Sequence, residues 1–198
     1  ARKAGAKFII HKPFTADSLK EALLPLLAGV DPEDEERPLV LPTRASLEKV
    51  LGALCNGQVK VLSEDPTPLD SALMPFMLVL LHSQKDKLRA IMLLDQNLVC
   101  ALGGACGAQP QASVAAALGS HAVPDALKLH CERALRILSA GFHGPVCGAD
   151  LNVKSAHLID QNFGKLKTLY EKSVQRMDVL IDIRGYGGGR MMIAAEKK

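Results

Sequence analysis

The chain has 198 residues and a formal net charge of +3, and 48% of its residues are hydrophobic. That length accommodates one domain of ordinary size plus a shorter segment. Because aromatic residues make up only 4% of the chain, the core must consist mainly of aliphatic side chains and methionine. The positive charges form no stripe, which argues against nucleic acid or a membrane surface as a partner.

The first predicted elements are a strand and an amphipathic helix within residues 4–27, AGAKFIIHKPFTADSLKEALLPLL. The apolar run at 8–10 has strand length, and Pro13 ends it because proline has no N–H for the ladder. Thr15 is a predicted helix cap. After it, apolar residues follow at helical spacing, namely Leu19, Ala22, Leu23 and Leu26.

This order resembles the end of the response-regulator receiver domain (the CheY-like fold) of two-component signalling, with its strand-end Lys-Pro. The resemblance implies that Lys12 contacts the phosphoryl group of an aspartate lying upstream of this chain. Residues 1–27 are therefore interpreted as the C-terminal remnant of a receiver domain, which cannot itself accept a phosphate. The Mg²⁺ of such a domain would belong to the missing part, so we expect no cofactor here. The alternative is an ordinary strand–helix unit with a surface lysine.

An incomplete receiver domain would leave an open strand edge at residues 8–10, so we expect self-association, for example as a dimer. Residues 28–42 contain glycine, prolines and an acidic cluster, a composition typical of a solvated linker. Residues 43–198 are interpreted as one further domain.

That domain begins with a predicted helix over 43–56, which Thr43 caps, and a strand over 58–62. Two apolar segments, 74–82 and 88–94, flank a polar turn and predict a hairpin of central strands. Asp95 caps the next helix, DQNLVCALGGACG. Its glycines weaken it, so we expect another element to pack closely against them.

A long helix is predicted from Pro124 to about residue 142, and a strand over 146–154. Residues 158–177 are ambiguous, with a moderate helical pattern. The segments 179–183 and 191–195 flank a glycine-rich turn and predict a closing hairpin. The expected fold class is α/β (α+β), with a mostly antiparallel sheet and helices packed on one face.

The element order of residues 43–195 resembles the CheC/CheX/FliM family of chemotaxis proteins. The similarity rests on the hairpin leading into Asp95, on ALGGACG and on the long helix LKLHCERALRILSAGF. Members that dephosphorylate receiver domains carry a Glu and an Asn three residues apart on the equivalent helix. The Asn orients the attacking water, which needs positioning more than proton chemistry, and the Glu helps to anchor the partner.

Neither way of aligning the long helix restores that pair. Pinning residues 137–140 places Arg133 and Arg136 at the two positions, and a shift by one places Glu132 and Leu135 there. A guanidinium cannot accept a hydrogen bond from water, so it cannot replace the amide. We therefore predict no catalytic residue and lean against an enzyme.

The apolar stripe of this helix, Leu127, Cys131, Ala134 and Leu138, directs its other side towards solvent. We interpret Glu132, Arg133 and Arg136 as a face that docks an acidic partner, such as a receiver domain or another protein of the histidine-kinase pathway. The alternative is a solvated helix face without a partner.

Other candidate sites are weaker. Gly187, Gly188 and Gly189 with Arg190 could form a backbone nest for an anion, although a hairpin tip explains the same glycines. The histidines are scattered, so no metal site is expected. The five cysteines contain no C-x-x-C, which argues against a zinc site or a disulfide framework. With no signal peptide or membrane-length apolar run visible, we expect a reduced, cytoplasmic setting.

Three functions remain open from the sequence. The first is a response-regulator component of a phosphorelay whose C-terminal domain is a non-catalytic interaction and output module. The second is an aspartyl-phosphate phosphatase that uses another residue, for which Glu132, Asn152 and Gln161 are candidates. The third is an effector domain that binds a small anion or nucleotide at the glycine-rich tip.

Overall fold

The computed structural model describes most of the C-terminal part of the chain. The described residues are 39–57, 59–65, 69, 75–83, 85–120, 122–140, 151–160, 163–171, 173 and 175–195. All of them belong to the unit formed by Pro38–Lys198. The predicted receiver segment 1–27, with Lys12, lies outside the described residues, as does most of the predicted linker.

The described residues form five helices and six strands. The helices are α1 (Arg44–Leu54), α2 (Gln96–Cys106), α3 (Gln111–Ser120), α4 (Asp125–Ala140) and α5 (Phe163–Glu171). The strands are β1 (Val59–Glu64), β2 (Phe76–His82), β3 (Leu88–Asp95), β4 (Asn152–Ile159), β5 (Gln175–Ile183) and β6 (Gly187–Ala195). No helix among the described residues is both long enough and apolar enough to cross a membrane.

The six strands form one sheet in the order β1-β5-β6-β3-β2-β4, and every neighbouring pair is antiparallel. The two predicted hairpins are confirmed, because β2 pairs with β3 and β5 pairs with β6. The tight turn between β5 and β6 uses Gly185 and Gly187 at φ +84° and +82°, a conformation that glycine adopts without steric strain. β1 and β4 are the two edge strands.

The main core lies on one face of the sheet, beneath α1, α2 and α4. Successive residues of a strand point to opposite faces, so every second side chain of the central strands joins this core. Its strand members include Val61, Met77, Val79, Met92, Leu94, Val179, Ile181 and Ile193. The helices contribute Leu47, Leu51, Leu98, Leu102, Leu135 and Leu138. The predicted fold class is thereby confirmed.

A smaller core occupies the opposite face, although the sequence predicts helices on one face only. Leu166 and Tyr170 of α5 are buried there against the alternate side chains of the central strands. Those partners are Phe76, Ile91, Leu93, Met192 and Ala194. The ambiguous segment 158–177 therefore contains the end of β4, the cover helix α5 and the start of β5.

Three glycines of α2 and its C-cap lie against other elements, as the sequence predicts. A Cβ at Gly103 would overlap the backbone of Leu127 in α4, and one at Gly104 would overlap the side chain of Val114 in α3. A Cβ at Gly107 would meet the ring of His130. The glycines thus allow α3 and α4 to approach α2 closely, which fixes the position of α4.

Candidate functional site

Helix α4 orients its residues as its apolar spacing predicts. Leu127, Cys131, Ala134 and Leu138 are each at most 4% exposed, so the predicted buried stripe is confirmed. Leu135 is also completely buried. The opposite side of α4 carries the residues that the sequence analysis selected.

The three selected polar residues lie together on this side but differ in their surroundings. Arg133 and Arg136 are exposed, and Glu132 is half-buried. Arg136 donates a hydrogen bond from Nη1 to the backbone oxygen of Val153 in the edge strand β4, at 3.1 Å. Glu132 Oε1 lies 4.0 Å from Nζ of Lys128, one turn earlier in the helix.

Two large apolar side chains on the same side were missed by the sequence analysis. Leu129 is 47% exposed and Ile137 is 57% exposed. They stand four residues before and after Arg133, so the three side chains are neighbours along one line of the helix. The sequence could have indicated their exposure, because neither residue falls within the buried stripe of α4. Together with the three polar residues they form the α4 outer face, which consists of Leu129, Glu132, Arg133, Arg136 and Ile137.

The α4 outer face offers apolar contact and positive charge but no amide. In the shifted alignment Leu135 would take the place of the amide, and its complete burial keeps it away from any partner. Asn152, a candidate of the phosphatase hypothesis, is exposed at the start of β4, directly before Val153. Gln161, the other amide candidate, lies outside the described residues.

The glycine-rich tip is surrounded by carboxylates. The Arg190 guanidinium donates from Nε to Glu64 Oε2 at 2.6 Å, and its backbone N–H donates to Asp95 Oδ2 at 2.8 Å. The hydrogen bond from Glu64 raises the pKa of Arg190. A Cβ at Gly188 would overlap the backbone of Ile181 in the paired strand. These contacts give Arg190 and Gly188 a role within the fold. Anion binding at the tip stays a prediction.

A buried polar cluster on the smaller core was also missed. Tyr170 donates its hydroxyl proton to Asp178 Oδ1 at 2.6 Å and accepts from Arg176 Nη2 at 2.9 Å. Arg176 also lies over the Tyr170 ring, 4.1 Å from its centroid. Burial, followed by the contact with Asp178, raises the pKa of Tyr170. Because the charges satisfy one another, the cluster explains how α5 is fixed to the sheet.

The described residues give no sign of a metal centre. No group of three or more His, Cys, Asp or Glu side chains among them is arranged to hold an ion. The candidate site is the α4 outer face, on which exposed apolar and basic side chains lie together on one helix that the sheet and α2 hold in place.

Comparison with solved structures places this architecture among known folds. The structure of the FliM middle domain from V. alginolyticus superposes with a TM-score of 0.51 at 13% identity, covering 77% of this chain and 88% of that one. The chain shares the fold of this FliM middle domain. At 13% identity, the match with FliM establishes fold and nothing further.

Two structures from H. pylori give lower scores. FliM in a FliM–SpeE complex matches with a TM-score of 0.49 at 12% identity, over 77% of this chain and 81% of that one. A FliM middle domain matches with a TM-score of 0.44 at 12% identity, over 77% and 84%. No protein-family model matches the sequence. No curated protein matches it either.

Proposed function

We propose that this chain is an interaction module of a chemotaxis or flagellar-switch pathway that docks a receiver domain of a response regulator without dephosphorylating it. The α4 outer face is the docking surface. The observation that carries the proposal is the exposure of Leu129 and Ile137 on either side of Arg133. The FliM-like fold supports the choice of pathway.

Apolar contact supplies the affinity of such a surface. Covering two half-exposed aliphatic side chains would contribute about 1 kcal/mol each. Leu129 and Ile137 are held on a helix whose other side is packed in the core, so little backbone entropy is lost on binding. This favours a protein partner that contributes an apolar patch of its own.

Positive charge selects the partner. Arg133 lies between the two apolar residues, and Arg136 adjoins them beside the edge strand. A receiver domain is acidic around its phosphorylation site, so complementary charges would orient it and speed its encounter with α4. Lys128 lies near Glu132 and partly offsets the one acidic group of the surface.

The same residues argue against hydrolysis of the aspartyl phosphate. Arginine side chains have no acceptor for a water proton, so they cannot orient water for attack on an aspartyl phosphate. Arg136 is also engaged by the Val153 oxygen. The docked phosphate would therefore be contacted and sheltered, not hydrolysed, and the module would act as a phosphorylation reader. We further propose that the module acts in the cytoplasm, as part of a response-regulator pathway.

Titration of this chain with a beryllofluoride-activated chemotaxis receiver domain tests the proposal. We expect Leu129→Asp and Ile137→Asp each to weaken binding about tenfold, because each places a charge in the apolar contact. Arg133→Glu should weaken binding most at low salt.

Matched controls separate docking from folding. Val40 is 51% exposed and Arg44 is exposed on α1, both outside the α4 outer face. Val40→Asp and Arg44→Glu should therefore bind as the unmodified chain does. Equal binding by the α4 variants and their controls would refute the α4 outer face as the docking surface.

A further inference from the structure

Two thiols from different helices meet at the edge of the main core. Cys55 is the C-cap of α1, and Cys106 is the last residue of α2. Their Sγ atoms are 3.9 Å apart, although the residues are 51 positions apart in sequence. Both thiols are free and both residues are half-buried.

The other described cysteines lie in different surroundings. Cys100 and Cys131 are completely buried. The Cys100 thiol donates to the backbone oxygen of Ala122, and the Cys131 thiol donates to the Met77 sulfur. Cys55 and Cys106 thus stand apart as a pair that is both close together and within reach of a small solute.

We propose that Cys55 and Cys106 are a redox-responsive dithiol that a peroxide converts into an intramolecular disulfide joining α1 to α2. A disulfide requires the two sulfur atoms to approach to about 2.05 Å. Starting from 3.9 Å, rotation of the two side chains and a shift of the two helix ends must close the gap, and helix ends yield more easily than helix interiors.

The chain on either side of the pair can absorb that movement. Cys55 precedes Asn56, which has φ 46°, and Cys106 precedes Gly107 and Ala108, the latter with φ 48°. Both helices therefore end in a chain reversal directly after the cysteine. We expect these ends, and not the strands or the buried helical turns, to take up the movement.

Each thiol also prepares the other for reaction. Either thiol can donate the S–H in this contact. With Cys55 as the donor, the hydrogen bond lowers the pKa of Cys106 and raises the pKa of Cys55. A thiolate is the form of cysteine that attacks peroxide. The pair releases its first proton more readily because the remaining S–H stabilises the thiolate.

The reaction balances with one peroxide molecule. The Cys106 thiolate attacks one peroxide oxygen, the O–O bond breaks, and the product is a sulfenic acid with hydroxide as the leaving group. That hydroxide takes the Cys55 proton and becomes water. The Cys55 thiolate then attacks the sulfenic sulfur and displaces its oxygen as hydroxide, which takes up the proton first released by Cys106. Two thiols and one peroxide give one disulfide and two waters, each sulfur having lost one electron.

Peptide mapping of the oxidised chain tests the proposal directly. After treatment of the reduced chain with hydrogen peroxide, we expect a non-reduced digest to contain a Cys55–Cys106 linked peptide. The intact chain should be two hydrogens lighter, and dithiothreitol should reverse the change. A link between two copies of the chain, a link to another cysteine, or sulfinic acid at unlinked Cys55 and Cys106 would overturn the proposal.

Thermal unfolding provides an independent readout. Closing this long loop should raise the Tm by about 5–10 °C in oxidised relative to reduced chain. Cys55→Ser should abolish the rise, whereas Cys147→Ser should keep it. A peroxide-dependent rise that survives Cys55→Ser would contradict the assignment to this pair.

Discussion

Asp95 shows how one side chain can serve two elements. Its Oδ1 accepts from the Leu98 N–H and caps α2, and its Oδ2 accepts from the Arg190 N–H of β6. Burial, which outweighs these hydrogen bonds, raises its pKa. The cap was predictable from the sequence, because Asp before an apolar helical pattern is a standard start signal. The hydrogen bond to the Arg190 N–H in β6, 95 residues later, was not predictable from the sequence.

The raised pKa of Asp95 predicts how the stability of the chain changes with pH. Its pKa lies above the unfolded-state value of 3.8, so its contribution to stability is present below that pH and is lost as pH rises through the folded-state pKa. The free energy of unfolding of the chain, relative to Asp95→Asn, should therefore fall between acidic and neutral pH. Denaturant unfolding across that range measures it.

Asp86 provides a control, because its pKa is shifted in the opposite direction to that of Asp95. Hydrogen bonds from Lys154 and then His82 lower its pKa, so its contribution is lost as pH falls. The chain relative to Asp86→Asn should lose stability towards acidic pH. If both comparisons drift in the same direction, the assignment of the Asp95 shift to burial is wrong.

The buried tyrosine gives a second prediction. Tyr170→Phe removes the proton that Asp178 accepts and the acceptor that Arg176 uses. We expect a loss of about 2 kcal/mol in the free energy of unfolding, because a completely buried carboxylate loses a partner. Thr168→Ala on the same helix changes an exposed hydroxyl bonded to Gly164 and should cost less than about 0.5 kcal/mol. Similar losses for both variants would refute the cluster's role.

Helix α2 illustrates which elements a sequence reveals. Its glycines predicted close packing, and the structure supplies the partners, Leu127 behind Gly103 and Val114 behind Gly104. Glycine in a helix weakens it by itself, so a reason in packing is expected. The identity of the partners depends on long-range packing that the local pattern does not encode.

Two glycine-to-alanine changes separate packing from helix propensity. Gly103→Ala should lower the free energy of unfolding by about 2–3 kcal/mol, because its Cβ would overlap the Leu127 backbone. Gly119→Ala in α3 meets nothing within 4 Å and should raise stability by about 0.5 kcal/mol. Denaturant titration compares them, and equal effects would contradict the close approach of α2 and α4.

Helix α5 could not be identified as a separate element from the sequence. Its segment has a moderate helical pattern that left residues 158–177 ambiguous. The pattern is weak because α5 has nine residues and covers only a small core, through Leu166 and Tyr170. A short helix needs few apolar positions, so periodicity identifies it poorly.

At the scale of the whole molecule, the hairpins were predictable but the sheet order was not. β2–β3 and β5–β6 are joined by short turns that their sequences reveal. The pairing of β3 with β6 and of β2 with β4 joins strands far apart in the chain. Long-range packing of the helices against both faces of the sheet favours those neighbours, and no local signal specifies them.

The candidate site, like the sheet, was only partly predictable from the sequence. Arg133 and Arg136 were identified because the buried stripe of α4 is regular. Leu129 and Ile137 were overlooked because apolar residues are normally assigned to the core. Their exposure changes the interpretation from a solvated basic face to a surface suited to binding another protein.

The lifetime of the aspartyl phosphate on a receiver domain, measured while this chain occupies it, tests the docking claim most directly. We predict a phosphate lifetime equal to or longer than that of the free receiver domain, at concentrations where binding is saturated. A lifetime shortened by the unmodified chain and restored by Glu132→Ala would contradict the account and identify α4 as catalytic.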